Sequence, residues 1–107
     1  MKGIPNMKNM LKQAEKMKER LEKLQAKAGE MTVEASAGGG MVTAVAKAKG
    51  EIVFIKIEPD IVNERDIEML EDLITAAVNE ALNRGREIMK EELGKAASGL
   101  GLPPGLL

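Results

Sequence analysis

Lys8, Lys12, Lys16 and Arg20 follow one another at i, i+4 spacing, and Lys23 and Lys27 extend the row. On a helix this spacing aligns the cations as one continuous ridge. Like charges so placed destabilise a helix by roughly 0.2–0.5 kcal/mol per pair. Glu19, within reach of Lys16 and Lys23, and Glu15, between Lys12 and Lys18, relieve only part of that cost. Stability alone does not select such a row. From Lys8 to Lys27 it is about 28 Å long at 1.5 Å per residue, and duplex DNA carries one phosphate charge per roughly 1.7 Å of axis. The lengths suit several phosphate contacts. Lysine outnumbers arginine seven to one over residues 1–28 and no aromatic residue interleaves. Base-edge readout and single-strand stacking therefore lack their usual residues, and backbone binding with little sequence preference is what the residue types support.

Other chemistries lack their residues. The chain has no Cys and no His, which removes disulfides, thiolate ligands and the commonest acid–base and metal-binding side chain. Without a His partner, Ser36, Ser98, Thr32, Thr43 and Thr75 are not nucleophiles of the usual activated kind. Glu64, Asp66, Glu68, Glu71 and Asp72 lack the glycine-centred loop of a calcium hand and read as a solvated face. Gly38-Gly39-Gly40 has no following Lys and Ser or Thr, so it reads as a turn rather than a phosphate loop. Met7, Met10 and Met17 fall at seam spacing and read as packing residues rather than as an adaptable peptide groove. No enzyme, metal or cofactor is expected.

The formal net charge of -1 conceals a division along the chain. Residues 1–28 hold seven Lys and one Arg against three Glu, a balance of +5. Residues 58–92 hold eleven acids against three Arg and one Lys, a balance of -7. A basic end on an acidic body attracts a polyanion while resisting indiscriminate sticking. No apolar run approaches the roughly 20 residues of a membrane span, and Lys2, Pro5 and Lys8 break the apolar run a signal peptide requires. The expected location is cytoplasmic.

These cations sit in an α+β pattern. Asn6 to Ala28 reads as a long helix, with Pro5 before it and Gly29 after it. Its apolar residues Met7, Met10, Ala14, Met17, Leu21, Leu24 and Ala28 alternate by threes and fours, a seam that packs on another helix. Three strands are expected at Met31–Ser36, Met41–Lys49 and Ile52–Ile57, antiparallel, the last pair joined by a two-residue Gly50-Glu51 turn. The run from Ile52 to Ile57 is the most apolar in the chain and reads as the central strand. A second long helix follows a start at Asn63 and Asp66. It lays Ile67, Leu70, Leu73, Ile74, Ala77, Val78, Ala81 and Leu82 on the sheet and leaves Glu64, Glu68, Glu71, Asp72 and Glu80 in water. Gly85 reads as a kink or the start of a frayed distal half, at about 1 kcal/mol relative to Ala. Arg84, Arg86 and Lys90 follow as a second group of cations. The expected domain covers residues 1–96, with a Gly/Pro-rich tail over 97–107. With Phe54 its only aromatic residue, one copy supplies a thin core and is expected to bury more against a second.

Three stretches carry a more specific signal. Met10-Leu11-Lys12-Gln13-Ala14 with Met17, Glu68 to Ile74 running into Ala76 to Ala81, and Ser98-Gly99-Leu100-Gly101-Leu102-Pro103-Pro104-Gly105 together resemble the YbaB/EbfC family of bacterial nucleoid-associated proteins. Gly38 to Gly40 before Val42, and Ile57-Glu58-Pro59, are similar to that family's sheet region. The resemblance implies a homodimer whose sheets and last helices form a shared body. Helices project from it like tweezer arms onto double-stranded DNA, helping to organise the nucleoid and regulate genes. It carries over the basic character of the projecting helix rather than a fixed contact motif. The expected DNA-binding residues are Lys8, Lys12, Lys16, Arg20, Lys23 and Lys27, with Arg84, Arg86 and Lys90 as a second group; no small-molecule substrate is implied. Two long helices flanking a hairpin also describe a prefoldin-like chaperone or assembly module, the alternative reading.

Overall fold

A computed structural model describes residues 4–62 and 66–99, the first two by backbone alone. Helix α1 covers Ile4–Gly29, strands β1, β2 and β3 cover Thr32–Ala37, Val42–Lys47 and Glu51–Ile57, and helix α2 covers Ile67–Gly99. A short 3-10 turn, Pro59–Ile61, precedes α2. The strands form one antiparallel sheet in the order β1-β2-β3. This is the expected α+β architecture. The asparagine expected to start the second helix, Asn63, lies outside the described residues, as does Glu64. The helix continues to Gly99, three residues past the expected domain boundary, and residues 100–107 lie outside the description.

The central strand is β2, not β3. Its burial alternates, with Val42, Ala44 and Ala46 buried toward α2 and Thr43, Val45 and Lys47 half-buried on the opposite face. The apolar run of β3 lies at the edge, where Ile52 and Ile57 reach the core while Val53 and Phe54 are exposed. The ladder slips between Val45 and Ala46, leaving Val53 as the extra residue of a bulge. Phe54, opposite Val45, falls on the sheet face turned away from α2 and remains 53% exposed.

The β2–β3 turn also differs from expectation. Lys47 pairs with Glu51, so the loop has three residues, Ala48-Lys49-Gly50, closed by the Gly50 N–H donating to the Lys47 carbonyl at 2.9 Å. Gly50 adopts φ 98°, the left-handed last position that such a loop requires. Glu51 therefore belongs to the strand.

Small side chains let α2 lie close on this sheet. The buried core residues among those described are eight alanines and Val42: Ala28, Ala35, Ala44, Ala46, Ala48, Ala77, Ala81 and Ala97 are the alanines. Leu70, Leu73, Ile74, Val78 and Leu82 pack around them, half-buried, as the apolar face predicts. Gly85 continues the Ala77 and Ala81 row at i+4. It does not interrupt the helix, which runs on through Gly99. A Cβ at Gly85 would stand 3.2 Å from the Ala48 Cα and 3.3 Å from the Lys47 carbonyl oxygen. Glycine lets the two backbones meet there without either giving way.

The seam on α1 is covered only in part. Ala28 is buried, Met17 and Leu21 are half-buried, and Met7, Met10 and Leu11 are 63%, 68% and 61% exposed. The helix leaves the body, giving extents of 79 × 20 × 17 Å and a radius of gyration of 21.0 Å. A compact domain of this length has about 13 Å.

Two glycines of the same helix separate these effects. Gly94 has open space where its Cβ would go, so Gly94→Ala is expected to stabilise the fold by about 0.5–1 kcal/mol through helix propensity. Gly85→Ala gains the same propensity but overpacks two backbones, for a net loss on the order of 1 kcal/mol. Denaturant unfolding of both variants checks the opposite signs.

Candidate nucleic-acid interface

The geometry begins where α1 is fastened. The Lys49 N–H donates to the Gly29 carbonyl at 3.1 Å, and the Ala48 N–H to the Met31 carbonyl at 2.8 Å. The Glu30 carboxylate meets the Lys47 ammonium at 2.8 Å and the Lys49 ammonium at 2.9 Å, and Lys49 also reaches Glu51 at 3.3 Å. The hydrogen bond from Lys47, followed by that from Lys49, lowers the Glu30 carboxyl to about 2. Glu30 and then Glu51 raise the Lys49 ammonium. This cluster ties the base of α1 to the β2–β3 turn. The distal half of α2 flanks the same stretch, with Met89 against Gly29 and Glu92 sharing a cleft with Leu24, Lys27 and Ala28.

Beyond that anchor the six expected cations of α1 are all exposed. Among the described residues none of Lys8, Lys12, Lys16, Arg20, Lys23 or Lys27 enters an ion pair. Lys27 lies in a cleft with Glu92.

The second group sits differently. Arg84 donates through Nη1 to the Glu34 carbonyl on edge strand β1 at 2.7 Å and through Nε to Glu80 at 3.2 Å. This guanidinium covers part of a sheet edge that would otherwise offer unpaired backbone groups. Arg86 donates to the Asn83 side-chain oxygen. Lys90 lines a shallow groove that also contains Glu34, Glu87 and Glu91. Arg84 and Lys90 lie among carboxylates, whereas none of the six α1 cations is ion-paired among the described residues. The role of Arg84 at the edge was not legible from spacing, since Glu34 lies fifty residues away in sequence.

Other polar groups have local partners. Ser36 and Thr43 share a hydrogen bond of 2.9 Å across β1 and β2, and Thr75 donates to the Glu71 carbonyl at 2.8 Å. Among the described residues no group of three or more carboxylates is placed to hold a metal ion, and no helix is long and apolar enough to cross a membrane.

The model of the YbaB/EbfC DNA-binding family matches residues 1–100. The chain belongs to this family. It is 48% identical over 103 residues to a nucleoid-associated protein of Alkaliphilus metalliredigens (strain QYMF), covering 96% of this chain and 90% of that one. It is 50% identical over 101 residues to a nucleoid-associated protein of Acetivibrio thermocellus, covering 94% and 89%. The crystal structure of an uncharacterized protein from Helicobacter pylori shares the fold, with TM-score 0.68 and 24% identity over 86% of this chain and 94% of the other. The family is named for DNA binding and not for catalysis.

The anchor makes the fold sensitive to acid in a defined window. A carboxyl lowered on folding contributes stability above its ordinary value of 4.5 and loses it as the pH falls through about 2. Wild type is expected to unfold at higher temperature than Glu30→Gln at pH 6, with the gap closing between pH 4.5 and pH 2. Thermal unfolding monitored by circular dichroism across that range checks it.

Proposed function

We propose that this chain works as a homodimeric nucleoid-associated protein. It grips double-stranded DNA mainly through phosphate contacts from α1, with weak sequence preference, and serves in nucleoid organisation and gene regulation. The observation that carries this reading is the separation of charge in space. The cations of α1 stand exposed on a helix projecting from the body, while Glu68, Glu71, Asp72, Glu80, Glu87 and Glu91 are exposed on α2. A phosphate backbone is drawn to the arm and repelled by the body. The names of the relatives, nucleoid-associated proteins of bacteria, support a location on the nucleoid and hence in the cytoplasm.

Dimerisation is supported by what a single copy leaves uncovered. Among the described residues the core is nearly all alanine, Phe54 and Val53 are exposed on β3, and Met7 and Met10 of the α1 seam are left exposed. A second copy that packs on these surfaces doubles the number of cationic arms. Neither the family nor the names of the relatives favours the chaperone or assembly alternative.

Fluorescence anisotropy with duplex DNA at several salt concentrations tests the reading. If six or more phosphates are engaged, affinity falls by about 10³ or more between 50 and 200 mM salt. A variant carrying Lys8→Ala, Lys12→Ala, Lys16→Ala and Arg20→Ala, still sedimenting as two chains, is expected to show a shallower slope by about 0.9 per contact removed. Salt-insensitive binding contradicts the mechanism, and an unchanged slope in the variant moves the interface to Arg84, Arg86 and Lys90.

A further inference from the structure

The carboxylates of α1 are not spread around the helix. At about 100° per residue, Asn9, Gln13, Lys16 and Arg20 fall within an arc of about 60°, with Lys12 and Lys23 beside it. Glu15, Glu19 and Glu22 lie about 90° to 150° from its centre, to one side. On the other side lies the apolar seam that turns toward α2 at Leu21 and Ala28. Every residue of this acid-free strip is exposed.

We propose that this strip enters the major groove and that the side-chain amides of Asn9 and Gln13 read adenine there. The proposal deepens the DNA-binding reading and rests on it. A helix of about 10–12 Å diameter fits a major groove about 12 Å wide, and the projecting part of α1 has the length to enter it without the body following. The planar amides of Asn and Gln hold an N–H donor and a carbonyl acceptor side by side, matching adenine N7 and N6. Lysines do not discriminate in this way. The absence of carboxylates within the arc allows the amides to approach base edges between two rows of phosphates, with Lys12 and Lys23 placed to contact one of them. Asn9 and Gln13 are four residues apart, about 6 Å along the helix, and a helix lying along the major groove meets successive bases with residues about three positions apart. The recognised element is therefore a pair of adenines on neighbouring or next-but-one steps. Two such contacts confer a modest preference, consistent with affinity dominated by phosphates.

Selection of duplexes from a randomised pool by the full-length protein, followed by anisotropy on the enriched and the unselected duplex, tests this. Wild type is expected to enrich the adenine pair. The Asn9→Ala/Gln13→Ala variant, whose alanines favour the helix, is expected to lose the preference, by about fivefold or more per amide, and to keep the salt slope. Gln25→Ala, an exposed amide outside the strip, is expected to keep both. Salt-dependent binding by the wild type without enrichment, or enrichment that survives in the double variant, overturns the readout and leaves phosphate binding standing. Salt-insensitive binding by the wild type overturns both.

Discussion

Three elements meet at the turn between β2 and β3, and the architecture depends on how closely they approach. Gly85 brings the middle of α2 against the backbone of Lys47 and Ala48, and Gly29 brings the end of α1 against Lys49, where a Cβ would stand 3.2 Å from the Lys49 Cβ. Because both helices touch the same short loop through glycine, their neighbouring segments lie side by side. From that point α2 runs beside the carboxyl-terminal part of α1, where Met17 and Leu21 are half-buried and Ala28 is buried, and the amino-terminal part, with Met7 and Met10 exposed, extends past it. The tight junction and the exposed arm are two results of one steric condition.

The same condition explains the thin core. A helix that lies this close to a sheet admits alanine between the layers and little else, so Ala44, Ala46, Ala77 and Ala81 occupy the contact and the larger residues ring it. Alanine buries little apolar area, and burial is the main driving force for folding. Phe54 and Val53, which have the area, face outward. The polar anchor of Glu30 with Lys47 and Lys49 is largely solvated, and it serves more to fix the direction of α1 than to supply stability.

Strong periodic signals in the sequence marked the two helices, the three antiparallel strands and the face of α2 that meets the sheet. The differences arise where apolar content is equated with a central place and glycine with a break. The run from Ile52 to Ile57 is the most apolar and reads as central, yet β2, with its small Val42, Ala44 and Ala46, holds that place. Gly85 reads by itself as a flaw in a helix, although it extends the Ala77 and Ala81 row at the same spacing, a pattern that marks close packing. The cations of α1 were legible because a local i+4 row needs no partner to be recognised. Arg84 was not, because the Glu34 carbonyl that it meets is set by the tertiary fold.

The central claim is that DNA meets the projecting face of α1 and not the acidic face of α2. The chain contains no cysteine, so a single one placed by Lys12→Cys or Glu71→Cys gives a unique point for a photo-cross-linker. Irradiation with duplex DNA is expected to join the strand to position 12 and to leave position 71 unmodified. Cross-linking from position 71, with none from position 12, would contradict the account.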